Sequence, residues 1–380
     1  MSRRPIVTYA GDNSLFTGLQ ASLVSALPQE NVEWRRSYGR PSRCVHVEVD
    51  FVPFSDECLV KDSTRTILGQ PIFHTFWTNC ADVEAYKNTM RDNLQAWIAS
   101  LRQQAITDWM VVLIETPDTR KGNKLLPRTT VLDKIKNDFG GKHADRCVAL
   151  IDPLKTDTRS VESWQTLLTK MRHFLMIAYN RALNRFEENM RAERERRIEK
   201  SWSFCSYFLL QEELAQVFSL LALHDEALVQ YDELDALFTQ FVLNSAAGDS
   251  PSWLSTFNQA CEKWEGLHLT PELDVAVQGK IRSKEVTLIE FRNYLFQRQC
   301  ALLFLLSKPW EVASRALTFL HNTVGELNIL EISVAPGGVA CWGVLSCLEI
   351  IDALHSYKEP STMDAHALHT APLWAYARDK

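Results

Sequence analysis

The chain has 380 residues, with 41 Lys and Arg against 47 Asp and Glu, which gives a formal net charge of −6 at pH 7. This acidic balance argues against a dedicated nucleic-acid-binding protein, and 46% hydrophobic residues are too many for general disorder. Since domains commonly hold about 100–200 residues, the length predicts two or three structural units.

The cysteines and the apolar runs indicate a cellular compartment. The nine cysteines contain no C-x-x-C pair, which favours reduced thiols in the cytosol over a disulfide framework. The first residues lack the apolar core of a signal peptide. The longest uncharged run, residues 332–348, is interrupted at 336–338 and leaves about ten residues for a helix, where a membrane span needs about twenty. We therefore expect a cytoplasmic protein.

Residues 1–157 alternate between the two-residue period of strands and the three- to four-residue period of helices, which predicts an α/β domain. One helix, capped by Asp12 to Ser14, is predicted to end before Pro28, and a second begins at Asp82. The predicted strands are 6–9, 45–51, 72–77, 109–114 and 148–151. A turn at 39–41 could join two antiparallel strands, so we predict a mixed sheet.

Residues 158–380 show no strand pattern and predict a second domain, an irregular α-solenoid of hairpins like those of tetratricopeptide repeats. A long helix begins near Ser160. Its charged continuation, 181–200, is typical of a solvated face, with contact to a partner or to acidic lipid as the alternative. The two helical hairpins are predicted at 209–242 and 289–324.

An apolar stripe lies on the second arm of the first hairpin. It consists of Tyr231, Leu234, Phe238 and Phe241, in line with Ala227, at helical spacing. Residues at this spacing share one helix face, so we predict that the stripe packs against neighbouring helices. The last apolar segment, 339–354, would then need a further repeat or a partner to cover it.

Nucleotide-binding motifs are incomplete in this sequence. The loop after the first strand, 11–18, lacks the lysine of a phosphate-binding loop, and Leu126 stands where a guanine-reading motif requires Asp. The D-x-x-G match at 138–141 is short enough to arise by chance, and neither G-x-G-x-x-G nor G-x-S-x-G occurs. We predict no catalytic residues and no cofactor. A degenerate nucleotide-binding α/β enzyme with a helical extension is the alternative.

Several histidines and cysteines are of the residue types that bind metal ions. His143 and Cys147 are four residues apart, but two ligands alone do not define a zinc site, so we predict a structural role. His46 and His74 lie inside predicted strands, where we expect hydrogen-bonded scaffold histidines. Cys341 and Cys347 are interpreted as buried thiols.

The segment 117–130 is the strongest candidate for an interaction site. It leaves the end of an apolar strand as a loop and carries the cations Lys121, Lys124 and Arg128. Charged loops of this kind can dock an acidic partner, and a solvated surface loop is the alternative.

Four blocks of sequence carry a family resemblance: DWMVVLIE (108–115), KLLPRTTVLDKIKNDF (124–139), FLLQEEL (208–214) and HDEALVQYDEL (224–234). Together they resemble the tenth-subunit family of the trafficking protein particle (TRAPP) complex, the large TRAPP II-specific subunit. The likeness runs from Pro5 to about Leu348 and is weakest from His355 onward. Family members continue far beyond this length, so the chain would correspond to their N-terminal portion.

The resemblance implies a non-catalytic scaffold rather than an enzyme. The TRAPP II complex activates Rab-family GTPases by nucleotide exchange and tethers vesicles in ER–Golgi and intra-Golgi transport, and the exchange surface lies mainly on its small core subunits. The implied partners are the second TRAPP II-specific large subunit and a small sedlin-like core adaptor subunit. Rab proteins and the Golgi membrane would be reached through the complex, from the cytoplasm.

Overall fold

The computed structural model describes residues 4–35, 42–59, 67–80, 82–115, 130–151, 153, 155–262, 265–357 and 363–380. The chain divides into two compact units, one up to Glu188 and the other from Asn189 onward. The division falls within a helix that begins at Thr158. The domain boundary expected between residues 157 and 158 stays a prediction.

The N-terminal unit is built on a parallel sheet. Its strands are β1 (Ile6–Gly11), β4 (Asp50–Pro53), β5 (Pro71–Asn79), β6 (Trp109–Glu115) and β7 (Cys147–Ile151), and a separate antiparallel pair is formed by β2 (Val32–Trp34) and β3 (Arg43–Val45). The five parallel strands have the order β4-β1-β5-β6-β7. Numbered within this sheet, the order is 2-1-3-4-5, a doubly wound arrangement whose switch point lies between β1 and β5.

Helices complete this unit. They are α1 (Asn13–Ala26), α2 (Val83–Ala85), α3 (Arg91–Gln103), α4 (Val131–Ile135) and α5 (Thr158–Glu195), with a π-helical turn, Tyr86–Met90, between α2 and α3. α3 packs Trp97 and Leu101 against Trp109 and Val111 of β6. The alternate residues of β6 point to the opposite face and are buried as well, so the sheet is covered on both sides.

The structure confirms the α/β class of this unit and corrects two details. The antiparallel pair forms a sheet of its own, so the main sheet is parallel rather than mixed. The single strand predicted at 45–51 is wrong, because β3 ends at Val45 and β4 begins at Asp50. Burial still alternates between β3 and β4, and Val47 and Val49 are buried. The alternating sequence pattern therefore predicted correctly which side chains are buried, although these residues form no continuous ladder of strand hydrogen bonds.

The second unit is helical, as expected. Its helices are α6 (Phe204–Leu220), α7 (His224–Ala246), α8 (Val275–Ser283), α9 (Leu288–Leu305), α10 (Pro309–Ile329), α11 (Gly338–His355) and α12 (Met363–Arg378). Both predicted hairpins are confirmed, since α6 packs on α7 and α9 packs on α10. Pro309 is the first residue of α10. An N–H group at this position would make no intrahelical hydrogen bond, so proline, which has no N–H, costs the helix nothing there.

The C-terminal helices differ most from expectation. α11 has 18 residues rather than about ten, because it begins directly after the Pro336-Gly337 turn. It is long and apolar enough to cross a membrane by length and composition alone. Its buried face packs against α10 and α12, however, as the face of a core helix does. α12 is a following helix that packs against this segment. The need for a further repeat or a partner beyond it stays a prediction.

The turn between β1 and α1 generates a prediction about stability. Gly11 has a φ of +90°, and a Cβ atom there would lie 2.1 Å from the carbonyl oxygen of Trp77. Gly11→Ala should therefore lower the free energy of unfolding by about 2–4 kcal/mol, through backbone strain and displacement of β5. Urea denaturation followed by tryptophan fluorescence measures this change.

Gly18→Ala is the matched control for this substitution. Gly18 lies in the exposed face of α1 and has no atom within 4 Å of the position that a Cβ would take. Alanine there should raise the free energy of unfolding by about 0.5–1 kcal/mol, because it restricts the unfolded chain. Equal effects of the two substitutions would contradict the geometry described for Gly11.

Candidate functional site

The basic loop predicted as a docking site lies outside the described residues, and so do Lys121, Lys124 and Arg128. The structure describes the elements on either side. β6 ends at Glu115, and α4 begins after Thr130, whose hydroxyl accepts a hydrogen bond from the backbone N–H of Asp133 while the Asp133 carboxylate accepts from Thr130. This reciprocal cap fixes where the chain re-enters regular structure.

The switch point of the sheet is where a doubly wound fold would bind a nucleotide, at the N-terminus of the helix that follows β1. In this chain the position is filled by a side chain. The Asp12 carboxylate accepts hydrogen bonds from the backbone N–H groups of Ser14 at 3.0 Å and Leu15 at 3.2 Å. The Ser14 hydroxyl also donates to it, and these bonds lower the pKa of Asp12. The Asp12 carboxylate therefore accepts the hydrogen bonds of the backbone amides that would otherwise bind a phosphate.

Aromatic packing closes the same region. Phe16, on the first turn of α1, is fully buried and stacks on Tyr9 with ring centroids 4.0 Å apart. The Trp77 ring lies 5.3 Å from that of Phe16, and the Asp12 backbone N–H donates to the carbonyl oxygen of Trp77. The chain packs these rings where a doubly wound enzyme keeps a crevice, which argues against the nucleotide-binding alternative.

In the helical unit, the predicted stripe on α7 lies mostly in the interior. Tyr231, Leu234 and Phe238 are buried, whereas Phe241 is half-buried beside Trp253. Phe238 lies 4.9 Å from Phe291 of α9 and 5.1 Å from Phe204 of α6, measured between ring centroids. Edge and tilted ring contacts at these distances stabilise packing beyond the area that they bury. The stripe thus contacts helices of its own unit.

A buried carboxylate, which the sequence analysis missed, joins four helices of this unit, α6, α7, α8 and α9. Glu212 of α6 has no exposed surface and accepts hydrogen bonds from the hydroxyls of Tyr294 at 2.5 Å and Tyr231 at 3.3 Å. The side-chain amide of Gln278 on α8 donates to its second oxygen at 2.8 Å. Burial raises the pKa of Glu212 despite these bonds. The only signal in the sequence is a polar group of three residues, 211–213, inside an apolar helical segment, which does not reveal the partners of Glu212.

The predicted scaffold histidine in the sheet is confirmed. Thr8 and His74 are opposite one another on β1 and β5, and the Thr8 Oγ1 lies 2.7 Å from the His74 Nδ1. Burial lowers the pKa of His74 to about 4. His46 is different: it lies exposed between β3 and β4 rather than inside a strand.

The other candidate ligands are dispersed. Cys147 is buried at the start of β7, where burial raises the pKa of its thiol to about 11, and His143 is exposed in the preceding turn. Cys347 is buried, but Cys341 is exposed, so the interpretation of both as buried thiols is wrong for Cys341. Within the described residues, no group of three or more His, Cys, Asp or Glu side chains is placed to hold a metal ion.

Comparison with known proteins agrees with this architecture. Residues 1–197 match the family described as trafficking protein particle complex subunit 10-like, N-terminal. A human protein named trafficking protein particle complex subunit 10 is 48% identical over 382 residues, covering 100% of this chain. The chain belongs to the family of trafficking protein particle complex subunit 10. The resemblance inferred from the four sequence blocks is therefore confirmed.

The relatives in the subunit 10 family are much longer than this chain. The human match covers 30% of the human protein, and a Drosophila melanogaster subunit 10, 38% identical over the whole chain, is covered to 33%. A more distant Arabidopsis thaliana protein is named trafficking protein particle complex II-specific subunit 130 homolog. It is 30% identical over 73% of this chain and is covered to 21%. The chain thus spans about a third of the length of the human and Drosophila subunit 10 proteins.

His74 generates a prediction about pH. Its folded-state pKa of about 4 is below the ordinary value of 6.5, so the unfolded chain binds the proton more readily as the pH falls. The free energy of unfolding of the wild-type protein should therefore fall as the pH is lowered from 6.5 to 4. Between pH 7.5 and pH 5.5 the decrease should be about 1 kcal/mol. His74→Gln should lack this component. Urea denaturation of both proteins at the two pH values measures the difference, and an identical pH dependence would contradict a buried neutral histidine.

Proposed function

We propose that this chain is a non-catalytic scaffold of the TRAPP II complex, which supports Rab nucleotide exchange and vesicle tethering in ER–Golgi and intra-Golgi transport. The observation that carries the proposal is the match to subunit 10 proteins along the whole chain, at 48% identity with the human protein. These relatives are named as subunits of a trafficking protein particle complex. A sequence that retains nearly half of their residues is expected to retain their surfaces for assembly.

The helical unit supports a scaffold role on physical grounds. Its interior is a continuous set of aromatic rings from α6, α7, α9 and the segment Ser252–Phe257, and every ring has neighbours within 6.5 Å. Dense packing of this kind makes an element resist deformation. Such a unit can hold other subunits at fixed positions without any chemistry of its own.

The proposed partners are the second TRAPP II-specific large subunit and a small sedlin-like core adaptor subunit. Rab-family GTPases would be bound through the complex, as would the Golgi membrane, from the cytoplasmic side. The filled switch point of the N-terminal sheet supports a structural rather than a nucleotide-binding role for that unit. Binding of GTP or ATP to the purified chain at micromolar concentration, measured by calorimetry, would contradict this role and favour the enzyme alternative.

The basic segment is proposed as a docking loop for an acidic surface of a partner. Reversing Lys121, Lys124 and Arg128 to Glu should weaken capture of the other TRAPP subunits, because charge complementarity acts on the rate of encounter. Each rim charge contributes about 0–1 kcal/mol, so the effect should be largest at low salt. Co-purification of the tagged chain with the co-expressed subunits, followed by cross-link mapping, measures the change.

The matched control reverses Lys87, Arg102 and Lys142, three exposed cations of the same unit. It changes the net charge of the chain by the same amount at other positions. If both triple variants recover less of the partner subunits than wild type, and by the same amount, net charge rather than the loop governs capture. If the loop variant recovers as much of the partner subunits as wild type does at low salt, the segment is an ordinary solvated surface loop and not a docking loop.

Nucleotide exchange provides a separate test of the scaffold proposal. An exchange factor must bind the nucleotide-free form of a GTPase in preference to the nucleotide-bound form. We expect purified residues 1–380 to leave the release of fluorescent GDP from Golgi Rab proteins at its spontaneous rate. The assembled complex that contains this chain should accelerate release. A several-fold acceleration by the isolated chain would overturn the proposal and assign an exchange surface to this sequence.

A further inference from the structure

The outer face of α12 is apolar and exposed. The inner face of this helix packs against α10 and α11, where Leu373 is buried. On the opposite side, Leu368 retains 71% and Trp374 retains 51% of its surface exposed. No Asp, Glu, Lys or Arg lies between Asp364 and Arg378. Covering such a surface removes apolar area from water, which favours association.

Small side chains form the middle of this face. Ala367, Ala371 and Ala375 are exposed and recur every four residues, so they lie in line along the helix. Leu368 and Trp374 lie on either side of that line. Because the alanines are small, a second helix can approach to an axis separation of about 8 Å, the short end of the usual range. The large side chains of each helix then have room over the alanines of the other.

The face is symmetric about Ala371 in size and opposite in charge at its ends. Its other members form pairs that are equally distant from Ala371 along the sequence, namely Leu368 and Trp374, Ala367 and Ala375, and Asp364 and Arg378. If a second copy of the helix lies antiparallel across Ala371, each residue comes level with the other member of its pair. Apolar side chains then meet apolar side chains, and each end joins a carboxylate to a guanidinium.

The two end charges can form this contact. Asp364 is exposed, and Arg378 contacts the neighbouring Asp379 through Nε at 3.0 Å and Nη2 at 2.9 Å. Since both partners of that pair are well exposed, the contact contributes little, and Nη1 of Arg378 still has donors for a second carboxylate. A parallel pair of helices would instead place Asp364 beside Asp364. The charges therefore favour the antiparallel arrangement.

We propose that the outer face of α12 binds a second copy of this chain, as an antiparallel pair of α12 helices with a twofold axis at Ala371. A twofold contact uses the same surface on both copies, so association stops at two. The 16 residues of α12 span about 24 Å, which is short for a stable interface, and we expect a Kd of about 1–100 μM. The dimer goes beyond the scaffold role, since it would join two scaffolds.

Sedimentation velocity of purified residues 1–380 over a micromolar concentration series tests the proposal. We expect the monomer of 43.5 kDa at low concentration and a species of twice this mass at high concentration. Ala371→Glu should raise the Kd at least about tenfold, because it places two carboxylates against each other at the axis. Ala276→Glu, the same change at an exposed position of α8, should leave the Kd unchanged.

Charge reversal tests the antiparallel register. Asp364→Arg and Arg378→Asp each place like charges at both ends of the pair and should raise the Kd about threefold to tenfold, whereas the double variant should regain the wild-type Kd. Both reversals oppose the helix dipole, so this recovery cannot come from a more stable α12. Circular dichroism checks that each variant is folded. If a charge variant is not, Leu368→Ser should weaken the dimer, while Leu305→Ser on the exposed side of α9 should not.

Three results would overturn the proposal. The first is a monomer at every concentration, which would leave the face of α12 to another occupant, such as a further segment of the longer relatives. The second is a dimer that Ala371→Glu leaves unchanged, or that Ala276→Glu weakens equally, because the contact would then lie elsewhere or depend on net charge. The third is a double charge variant that binds no better than the single variants, which would exclude the antiparallel register.

Discussion

The helical unit depends on a helix that is buried on nearly all of its faces. α9 carries Arg292, Gln297, Arg298 and Gln299 among its buried residues, and a buried polar side chain is tolerated only when it finds partners. The partners come from two neighbouring helices and one loop segment. Asp232 and Asp235 of α7, Glu326 of α10 and the chain at 270–272 accept the hydrogen bonds. Because hydrogen bonds are directional, this requirement fixes where the neighbouring helices lie more narrowly than apolar contact would.

The aromatic rings and the buried charges of this unit have complementary roles. The rings of Phe204, Phe238 and Phe291 supply non-directional stabilisation, which many arrangements of helices would provide. Glu212 and Arg292 supply selectivity, since each loses its partners if a helix shifts along its axis. A scaffold needs both properties, stability of the unit and a defined position for each surface.

In the N-terminal unit, side chains of the protein itself fill the position at which a doubly wound sheet commonly binds a nucleotide. Gly11 permits the tight turn after β1, and Asp12 then satisfies the first amides of α1. The same turn brings Phe16 onto Tyr9 and Trp77. A phosphate would have to displace the Asp12 carboxylate, and a nucleotide base would have to displace buried rings. The doubly wound order is therefore retained as architecture without the opening that serves chemistry in other proteins of this topology.

The sequence by itself determined most local features. Periodicity predicted β1, β5, β6, β7, the long helix α5 and both hairpins, because hydrophobic spacing reports the face that each element buries. It did not predict that the strands of the main sheet are all parallel. It did not predict α8 or α12, and it joined β3 to β4, since burial can alternate through a segment that forms no ladder. Residue type and position also identified Asp12 as a helix cap, because a cap accepts hydrogen bonds from amides two and three residues further along the chain. His74 was identified as a scaffold residue from its position inside a predicted strand, without its partner Thr8. Only the tertiary structure decided the role of Glu212, Arg292 and Arg315. Apart from Glu311, which lies one helical turn before Arg315, their partners are distant in sequence and come from other helices. Spacing along the chain therefore does not reveal which groups these side chains contact.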